Sequence, residues 1–328
     1  MQILVIGGTQ FIGRHLVEAL LADGHGVTLL HRTSKRLFGG RVEQLLADRG
    51  DEQAVRAVLK GRRFDAVYDN AYDWARGTTA GQVGFMAEAC HHAKLKRYIF
   101  TSTVAVYGDG AVNCRETAPL VKAPAGSPYA LNKADSERLL MKMHKRAGLP
   151  VVTLRPPFVY GPDNNFYREQ YFWDRLRLGR PVIVPGDGRA PMHFVYVKDF
   201  ARAAVACLTN DAAVGQAFNI AHEAAVSQNE AIRLMARVAG VKAEIVRVPR
   251  KRIAAAGANP FTEPYYFAQY FDMAPITEDM TKARRKLGFT PTSLEDGFAE
   301  TYRWYLRKHK PRTDGFEFED KLMGRAAG

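Results

Sequence analysis

The sequence predicts an α/β protein with a doubly wound parallel sheet and a smaller C-terminal lobe, and three observations lead to this prediction. Between residues 1 and 155, short apolar or β-branched runs alternate with helical patterns, as in a βαβ array. A glycine-rich turn follows the first of these runs directly. After Arg155 the pattern loosens into proline- and glycine-bearing segments, which are typical of loops and short elements.

The elements follow from the length and apolar content of each run, because buried parallel strands need no alternation of polar and apolar residues. The predicted strands are 3–6, 27–30, 42–45, 64–69, 98–101 and 151–154. The predicted helices are 12–22, 78–93, 129–147, 197–208, 228–239 and 294–308. We therefore expect residues 1–155 to form the sheet domain. Residues 156–328 should form mainly the lobe, with some segments returning to the sheet domain.

Composition excludes several classes of protein. Of 328 residues, 47% are hydrophobic and 25% are charged, which argues against disordered and fibrous chains. No apolar run reaches the roughly 18 residues of a membrane span, and no export signal is visible. The cysteines are widely separated, so we expect a cytoplasmic protein with no bound metal. The net charge of +13 comes from scattered basic residues and is a weak indication of an anionic partner.

Residues 7–13 read Gly-Gly-Thr-Gln-Phe-Ile-Gly and connect the first predicted strand to the first predicted helix. Glycines permit the tight turn there, and the helix N-terminus favours the pyrophosphate of a dinucleotide. Gln10 stands where another glycine would let the backbone approach the phosphates. The alternative is an ordinary glycine-rich turn. The candidate cofactor-binding residues in this Rossmann-type turn are Gly7, Thr9, Gln10, Phe11, Ile12 and Gly13.

The end of the second predicted strand indicates which dinucleotide is bound. An acidic residue there would hold the ribose 2′-hydroxyl of NAD, but residues 30–36 contain no carboxylate. Arg32, Lys35 and Arg36 suit the additional 2′-phosphate of NADP instead. We therefore favour NADP, with NAD as the second choice and a solvated basic loop as the alternative to either.

Tyr129 and Lys133 lie four residues apart in a predicted helix and therefore share one face. An adjacent ammonium and a cationic nicotinamide lower the pKa of a phenol, which allows it to exchange a proton with an alcohol. This spacing alone has little weight. It gains weight from the strand before it, because residues 101–103 place hydroxyl groups at the carboxyl edge of the sheet, where ligands of α/β proteins bind.

In this order the motifs resemble those of an extended short-chain dehydrogenase/reductase of the NAD-dependent epimerase/dehydratase family, over most of the chain. The matching segments are 7–13, 101–108, 129–133, 154–162, 186–188 and 194–199. The resemblance implies that Thr103 is the catalytic hydroxyl, that Tyr129 is the acid and base, and that Lys133 orients the nicotinamide ribose. It further implies that Asp48 contacts adenine. The alternative interpretation, that Asp48 is an ordinary surface carboxylate, is equally consistent with the sequence. Pro156 and Phe158 would line the nicotinamide side of the pocket.

Departures from the family pattern limit the prediction of function. Family dehydratases carry an acidic pair after the catalytic Thr, but Val104 and Ala105 follow Thr103, which disfavours dehydration. Epimerisation of a nucleotide sugar or related polyol, or reduction of a small carbonyl compound, remains. The arginine that family members use for the substrate diphosphate is displaced by three positions to Arg189. The other candidate substrate contacts are Tyr72, Asn165 and His193.

The chain also resembles an atypical branch of the family that includes chloroplast stem-loop RNA-binding proteins. RNA binding with a vestigial or regulatory dinucleotide site is therefore the alternative from a different class. The intact set of Thr103, Tyr129 and Lys133 favours the enzyme, since RNA binding gives no reason to keep these residues together. The family resemblance further implies a homodimer.

Overall fold

The computed structural model describes residues 1–325. Its strands are β1 (Gln2–Ile6), β2 (Gly26–His31), β3 (Glu43–Leu46), β4 (Ala66–Asp69), β5 (Arg97–Thr101), β6 (Val151–Arg155), β7 (Phe158–Tyr160), β8 (Val182–Pro185), β9 (Pro191–Met192), β10 (Phe194–Tyr196), β11 (Gln216–Asn219), β12 (Val226–Ser227) and β13 (Ile245–Val248). Its helices are α1 (Phe11–Ala22), α2 (Glu52–Leu59), α3 (Ala80–Cys90), α4 (Pro128–Ala147), α5 (Glu169–Arg177), α6 (Val197–Ala206), α7 (Gln228–Val238), α8 (Arg250–Ala255), α9 (Thr281–Leu287), α10 (Leu294–Lys308) and α11 (Glu317–Met323). Short 3₁₀ turns occur at Phe38–Gly40, Val104–Tyr107 and Asp211–Ala213.

Seven parallel strands form the central sheet in the order β11-β6-β5-β4-β1-β2-β3. The strand order reverses at β1. On one side of β1 the chain continues through β2 to β3, and on the other side it continues from β4 to β5 and β6. Such a reversal opens a crevice at the carboxyl ends of the strands. The predicted fold class is confirmed, and the crevice fixes where a ligand can enter.

Helices cover both faces of the sheet because successive strand residues point to opposite sides. In β1, Ile3 and Val5 pack into the same apolar cluster as Leu16 of α1. Leu4 and Ile6 pack into a second cluster with residues of α2, α3 and α4. Burial on both faces explains why the strands read as continuous apolar runs in the sequence.

The segment after Arg155 is shared between the sheet domain and a lobe. Outside the main sheet, β10 pairs with β7 and β13 with β8 in parallel, and β12 pairs with β9 in the antiparallel sense. From the same half of the chain, β11 adds the seventh strand beside β6, and α6 packs on α1. Within residues 1–325, no helix combines the length and apolar character needed to cross a bilayer.

Candidate active site

The turn between β1 and α1 has the shape of a phosphate cradle. Gly7 has a φ of +84°, and a Cβ on Gly13 would lie only 1.9 Å from the Gly7 carbonyl oxygen, so the first turn of α1 rests directly on the loop. The side chain of Gln10, the N-cap residue, makes no capping hydrogen bond. Asp51, Thr79 and Ser127, by contrast, cap α2, α3 and α4. The first N–H groups of α1 are therefore not used by a capping side chain, which fits the pyrophosphate of a dinucleotide.

Two candidate adenosine contacts are tied to the loop of residues 70–79, which we call the β4–α3 loop. Nη1 of Arg32 lies 3.3 Å from Oδ2 of Asp73. Asp48 accepts a 2.6 Å hydrogen bond from Nη2 of Arg76, and this bond lowers the pKa of the Asp48 carboxyl. Arg32, Lys35 and Asp48 line a common cavity with the glycine turn, whereas Arg36 is not among its lining residues.

A buried ion pair holds the backbone close to Asp48. Arg49 donates to both carboxylate oxygens of Asp69, at 2.6 and 2.9 Å, and also to the Ala71 carbonyl oxygen at 3.1 Å. The Tyr98 hydroxyl donates to the same carboxylate at 2.9 Å. These contacts fasten the segment after β3 to the end of β4, and the β4–α3 loop begins there.

Thr103, Tyr129 and Lys133 meet on one wall of the cavity. Thr103 lies two residues after the end of β5 and caps a 3₁₀ turn, where its hydroxyl accepts a 3.2 Å hydrogen bond from the Ala105 N–H. Helix α4 begins at Pro128, and its N-cap Ser127 accepts from the Ala130 N–H at 3.2 Å. Proline at the first helical position and serine at the cap fix the start of α4. Tyr129 and Lys133 therefore lie in its first turns, facing the carboxyl end of β5.

Lys133 is held rigidly despite its charge. Its Nζ donates to the Thr101 carbonyl oxygen at 2.6 Å and lies 4.7 Å from the centre of the Phe100 ring. The side chain is almost fully buried, and burial lowers the pKa of the ammonium to about 8. The ammonium is thus positioned one helical turn from Tyr129, and it remains mostly charged at neutral pH.

Tyr129 lies between aromatic neighbours. The Tyr72 ring meets it edge-on at a centroid distance of 4.8 Å, and the Trp74 ring stacks on it at 4.9 Å. Burial raises the pKa of the Tyr129 phenol to about 12, and the Thr103 hydroxyl opposes this rise. The phenol is therefore protonated at neutral pH and ready to donate. A role as base requires nearby positive charge that lowers its pKa.

Beyond these residues the cavity continues into the C-terminal lobe, and its total volume is about 740 Å³. This volume is within the range of small-molecule and cofactor sites. Pro156 and Phe158 line it as the resemblance implies, as do Tyr72 and Asn165. The cavity therefore contains candidate groups for both a cofactor and a substrate.

Two of the candidate substrate contacts are absent from the lining of this cavity. The Arg189 side chain is 86% exposed, and its Nε lies 3.9 Å from Oδ2 of Asp187. His193 is buried elsewhere, with Nε2 2.7 Å from the His222 carbonyl oxygen and Nδ1 accepting from the Glu278 N–H at 3.2 Å. Burial lowers the pKa of His193 to about 4, so the ring is neutral and holds backbone segments together.

Several lining residues were not singled out from the sequence: Trp74, Phe166, Arg168, Phe261 and Tyr270. A sequence signal existed for Trp74, since it follows the carboxyl end of a predicted strand, where ligands of α/β sheets bind. The other four come from loops and a helix start in the second half of the chain. Their approach to Tyr129 depends on tertiary packing that no local pattern reports.

Comparison with known proteins gives matches along most of the chain. The model of the NAD dependent epimerase/dehydratase family matches residues 3–221. The chain is 31% identical to the chloroplast stem-loop binding protein of 41 kDa b of Arabidopsis thaliana, over 92% of this chain and 78% of that protein. It is 30% identical to a UDP-glucose 4-epimerase of Mycolicibacterium smegmatis, over 94% and 99% of the two chains. The crystal structure of a UDP-glucose 4-epimerase from Thermotoga maritima with UDP-glucose has a TM-score of 0.77 and 26% identity, covering 94% of this chain and 99% of that one.

Proposed function

The chain belongs to the NAD-dependent epimerase/dehydratase family, and on that premise we propose that it epimerises a nucleoside-diphosphate sugar at a carbinol carbon. The observation that carries this proposal is the meeting of Thr103, Tyr129 and Lys133 in the cavity that begins at the glycine turn. Two similar proteins are UDP-glucose 4-epimerases, and this supports a nucleoside-diphosphate sugar as the substrate class.

The side chains have separate tasks in this reaction. A nicotinamide dinucleotide bound along the glycine turn supplies the hydride acceptor and donor, so that a carbinol carbon is oxidised to a ketone and reduced again without net redox change. Thr103 holds the substrate oxygen against Tyr129, which takes the hydroxyl proton and later returns it. The Lys133 ammonium, oriented by the Thr101 carbonyl, would hold the ribose, and the positive charge of the nicotinamide would lower the pKa of the phenol. Trp74 and Tyr72 pack against the Tyr129 ring and hold it in place.

The test is turnover of a panel of nucleoside-diphosphate sugars by the wild-type protein and by Tyr129→Phe. We expect the variant to lose about 10²- to 10⁴-fold in kcat, the usual contribution of a general acid and base, and to keep dinucleotide affinity within about twofold. Tyr160→Phe is a matched control, because among the described residues its buried hydroxyl has no hydrogen-bond partner and it does not line the cavity. Full activity of Tyr129→Phe would refute the assigned chemistry. Stoichiometric consumption of NADPH without an epimer would favour the reduction of a small carbonyl compound.

We also propose that NADP binds more tightly than NAD. Arg32 and Lys35 line the adenosine end of the cavity, where guanidinium and ammonium groups suit a 2′-phosphate. Replacing both by alanine is expected to weaken NADPH binding about 10- to 100-fold while changing NADH affinity little. Fluorescence titration of each reduced dinucleotide measures this. Tighter binding of NADH than of NADPH by the wild-type protein would contradict the proposal.

RNA binding remains the second candidate, because the chain is 31% identical to a protein whose name describes stem-loop binding and carries a net charge of +13. If phosphate contacts dominate, affinity for a stem-loop RNA falls steeply as salt rises. A filter-binding series from low to high salt that retains no RNA would exclude this function. The homodimer and the cytoplasmic location also stay predictions, and light scattering after size exclusion tests the first.

A further inference from the structure

Buried arginines in this protein are normally neutralised by carboxylates. Arg49 pairs with Asp69 at 2.6 Å, Arg155 with Glu137 at 2.5 Å, and Arg175 with Glu319. Arg168 is only partly buried and differs from these three, since within residues 1–325 it takes part in no salt bridge. Its Nη1 makes one long hydrogen bond to the Val159 carbonyl oxygen, 3.4 Å away, and its Nε is fully covered without a partner.

The surroundings of Arg168 are apolar and aromatic. Its guanidinium carbon lies 4.6 Å from the ring centre of Phe166 and between 5.5 and 5.7 Å from the ring centres of Phe158, Phe271 and Tyr270. Such faces attract a cation but do not satisfy N–H donors, which need oxygen acceptors. Burial lowers the pKa of the guanidinium, although an arginine stays protonated at physiological pH. The site therefore contains a guanidinium that contacts no carboxylate and has unused donors.

The nearest carboxylate in sequence does not supply the missing partner. Glu169 begins α5 directly after Arg168, but its Oε2 accepts from the Asn164 side-chain amide at 2.9 Å. Burial raises the pKa of Glu169 to about 7, so about half of its population is protonated at neutral pH. A partly buried guanidinium with unsatisfied donors is costly, and an anion bound to those donors lowers the cost.

The position of Arg168 indicates which ligand supplies this anion. Arg168 lines the same cavity as Tyr129, and Trp74 links the two positions by stacking on Tyr129 while its edge contacts Phe166. The other arginines that line the cavity, Arg32 and Arg49, lie at the adenosine end. Arg189, the candidate from the sequence, is exposed outside it. A ligand that reaches Arg168 therefore occupies the substrate side.

We propose that Arg168 is a specificity-determining residue whose guanidinium binds the anionic oxygens of the substrate, either phosphoryl or carboxylate. A planar guanidinium with paired donors matches both groups. The choice of a nucleoside-diphosphate sugar as the ligand rests on the proposed function, but the anion site itself does not.

The experiment measures binding to Arg168→Met, Arg168→Lys and Arg189→Met by calorimetry, with the dinucleotide site saturated. The ligands are UDP, UDP-glucose, UDP-glucuronic acid and uridine. If Arg168 binds phosphoryl oxygens, Arg168→Met weakens the three charged ligands equally, by about 10- to 100-fold. If it binds a carboxylate, only UDP-glucuronic acid is weakened. Uridine affinity is unchanged in both cases, and the exposed-arginine control Arg189→Met binds like the wild type.

A structural role for Arg168 predicts a different result. Arg168→Met would then change thermal stability alone and leave every dissociation constant within twofold, which overturns the inference. Arg168→Lys keeps the charge but loses the paired donors, so we expect an intermediate loss of affinity, and this variant serves if the methionine variant fails to fold.

Inorganic pyrophosphate and free glucuronate separate this inference from the proposed function. If no UDP sugar binds the wild-type protein, but either anion raises its melting temperature and not that of Arg168→Met, the sugar nucleotide is wrong and the anion site stands. If UDP sugars are turned over and Arg168→Met binds them like the wild type, the function stands and the role of Arg168 is refuted. Absence of any anion effect also refutes it.

Discussion

Lys133 is expected to destabilise the protein in which it acts. Burial lowers its pKa from an ordinary value of 10.5 to about 8, and this difference corresponds to about 3 kcal/mol of cost for keeping it charged at pH 7. Lys133→Met removes the charge and retains a long apolar stem. It also removes the hydrogen bond to the Thr101 carbonyl, a loss of about 1 kcal/mol. We therefore expect the methionine variant to be more stable by about 2 kcal/mol at pH 7, while kcat falls at least about 10²-fold.

The stability difference between the wild type and Lys133→Met should depend on pH. Between about pH 8 and 10.5 the unfolded chain binds more protons at Lys133 than the folded protein does, so the unfolding free energy of the wild type rises with pH through that window. The difference in unfolding free energy between Lys133→Met and the wild type should decrease over the same pH range. It should reverse to a deficit of about 1 kcal/mol near pH 10.5, where only the lost hydrogen bond remains.

Urea unfolding of the dinucleotide-free proteins at pH 7 and pH 10.5 measures both quantities. Lys142→Met is a matched control, because Lys142 lies on the exposed side of the same helix. Its effect should be small and independent of pH. A Lys133→Met variant that is less stable than the wild type at pH 7, or a difference that does not change with pH, would show that burial of the ammonium carries no such cost.

Three further predictions concern two buried titratable groups outside the cavity and the glycine turn. Among the described residues both carboxylate oxygens of the buried Glu278 lack a hydrogen-bond partner, and burial raises its pKa above the ordinary value of 4.5. The folded state therefore keeps this proton at a pH where the unfolded chain has lost it, and the unfolding free energy should fall as pH rises above 4.5. Glu278→Gln should raise the unfolding free energy at pH 8 by about 1–3 kcal/mol, measured by urea titration. Burial lowers the pKa of His193 from 6.5 to about 4, so the unfolding free energy should fall by about 3 kcal/mol as pH falls from 6.5 to 4. His193→Gln should not show this fall and should keep the wild-type kcat/KM at pH 8. Gly13→Ala places a Cβ 1.9 Å from the Gly7 carbonyl oxygen and should abolish dinucleotide binding in a fluorescence titration, whereas Gly81→Ala, with its nearest atom 3.7 Å away, should bind normally.

The sequence by itself determined the features that depend on local patterns. Runs of apolar residues separated by helical periodicity predicted the strands and helices of the sheet domain. The glycine turn was recognisable because strand, turn and helix are contiguous in the chain. Tyr129 and Lys133 were predicted to share a helix face because their separation is one turn. Thr103 was placed at the edge of the sheet because it lies two residues after the end of a predicted strand.

Only the tertiary structure decided which distant residues complete the cavity. Trp74 stacks on Tyr129 from a loop after β4, and Arg168 reaches the same cavity from the start of α5. Arg189 was the arginine predicted from the sequence to contact the substrate, yet it lies exposed beside Asp187. The strand β11 joins the sheet from the second half of the chain. Contacts of this kind depend on how separate elements pack, and packing is set by the complementarity of whole surfaces rather than by the spacing of residues along one segment.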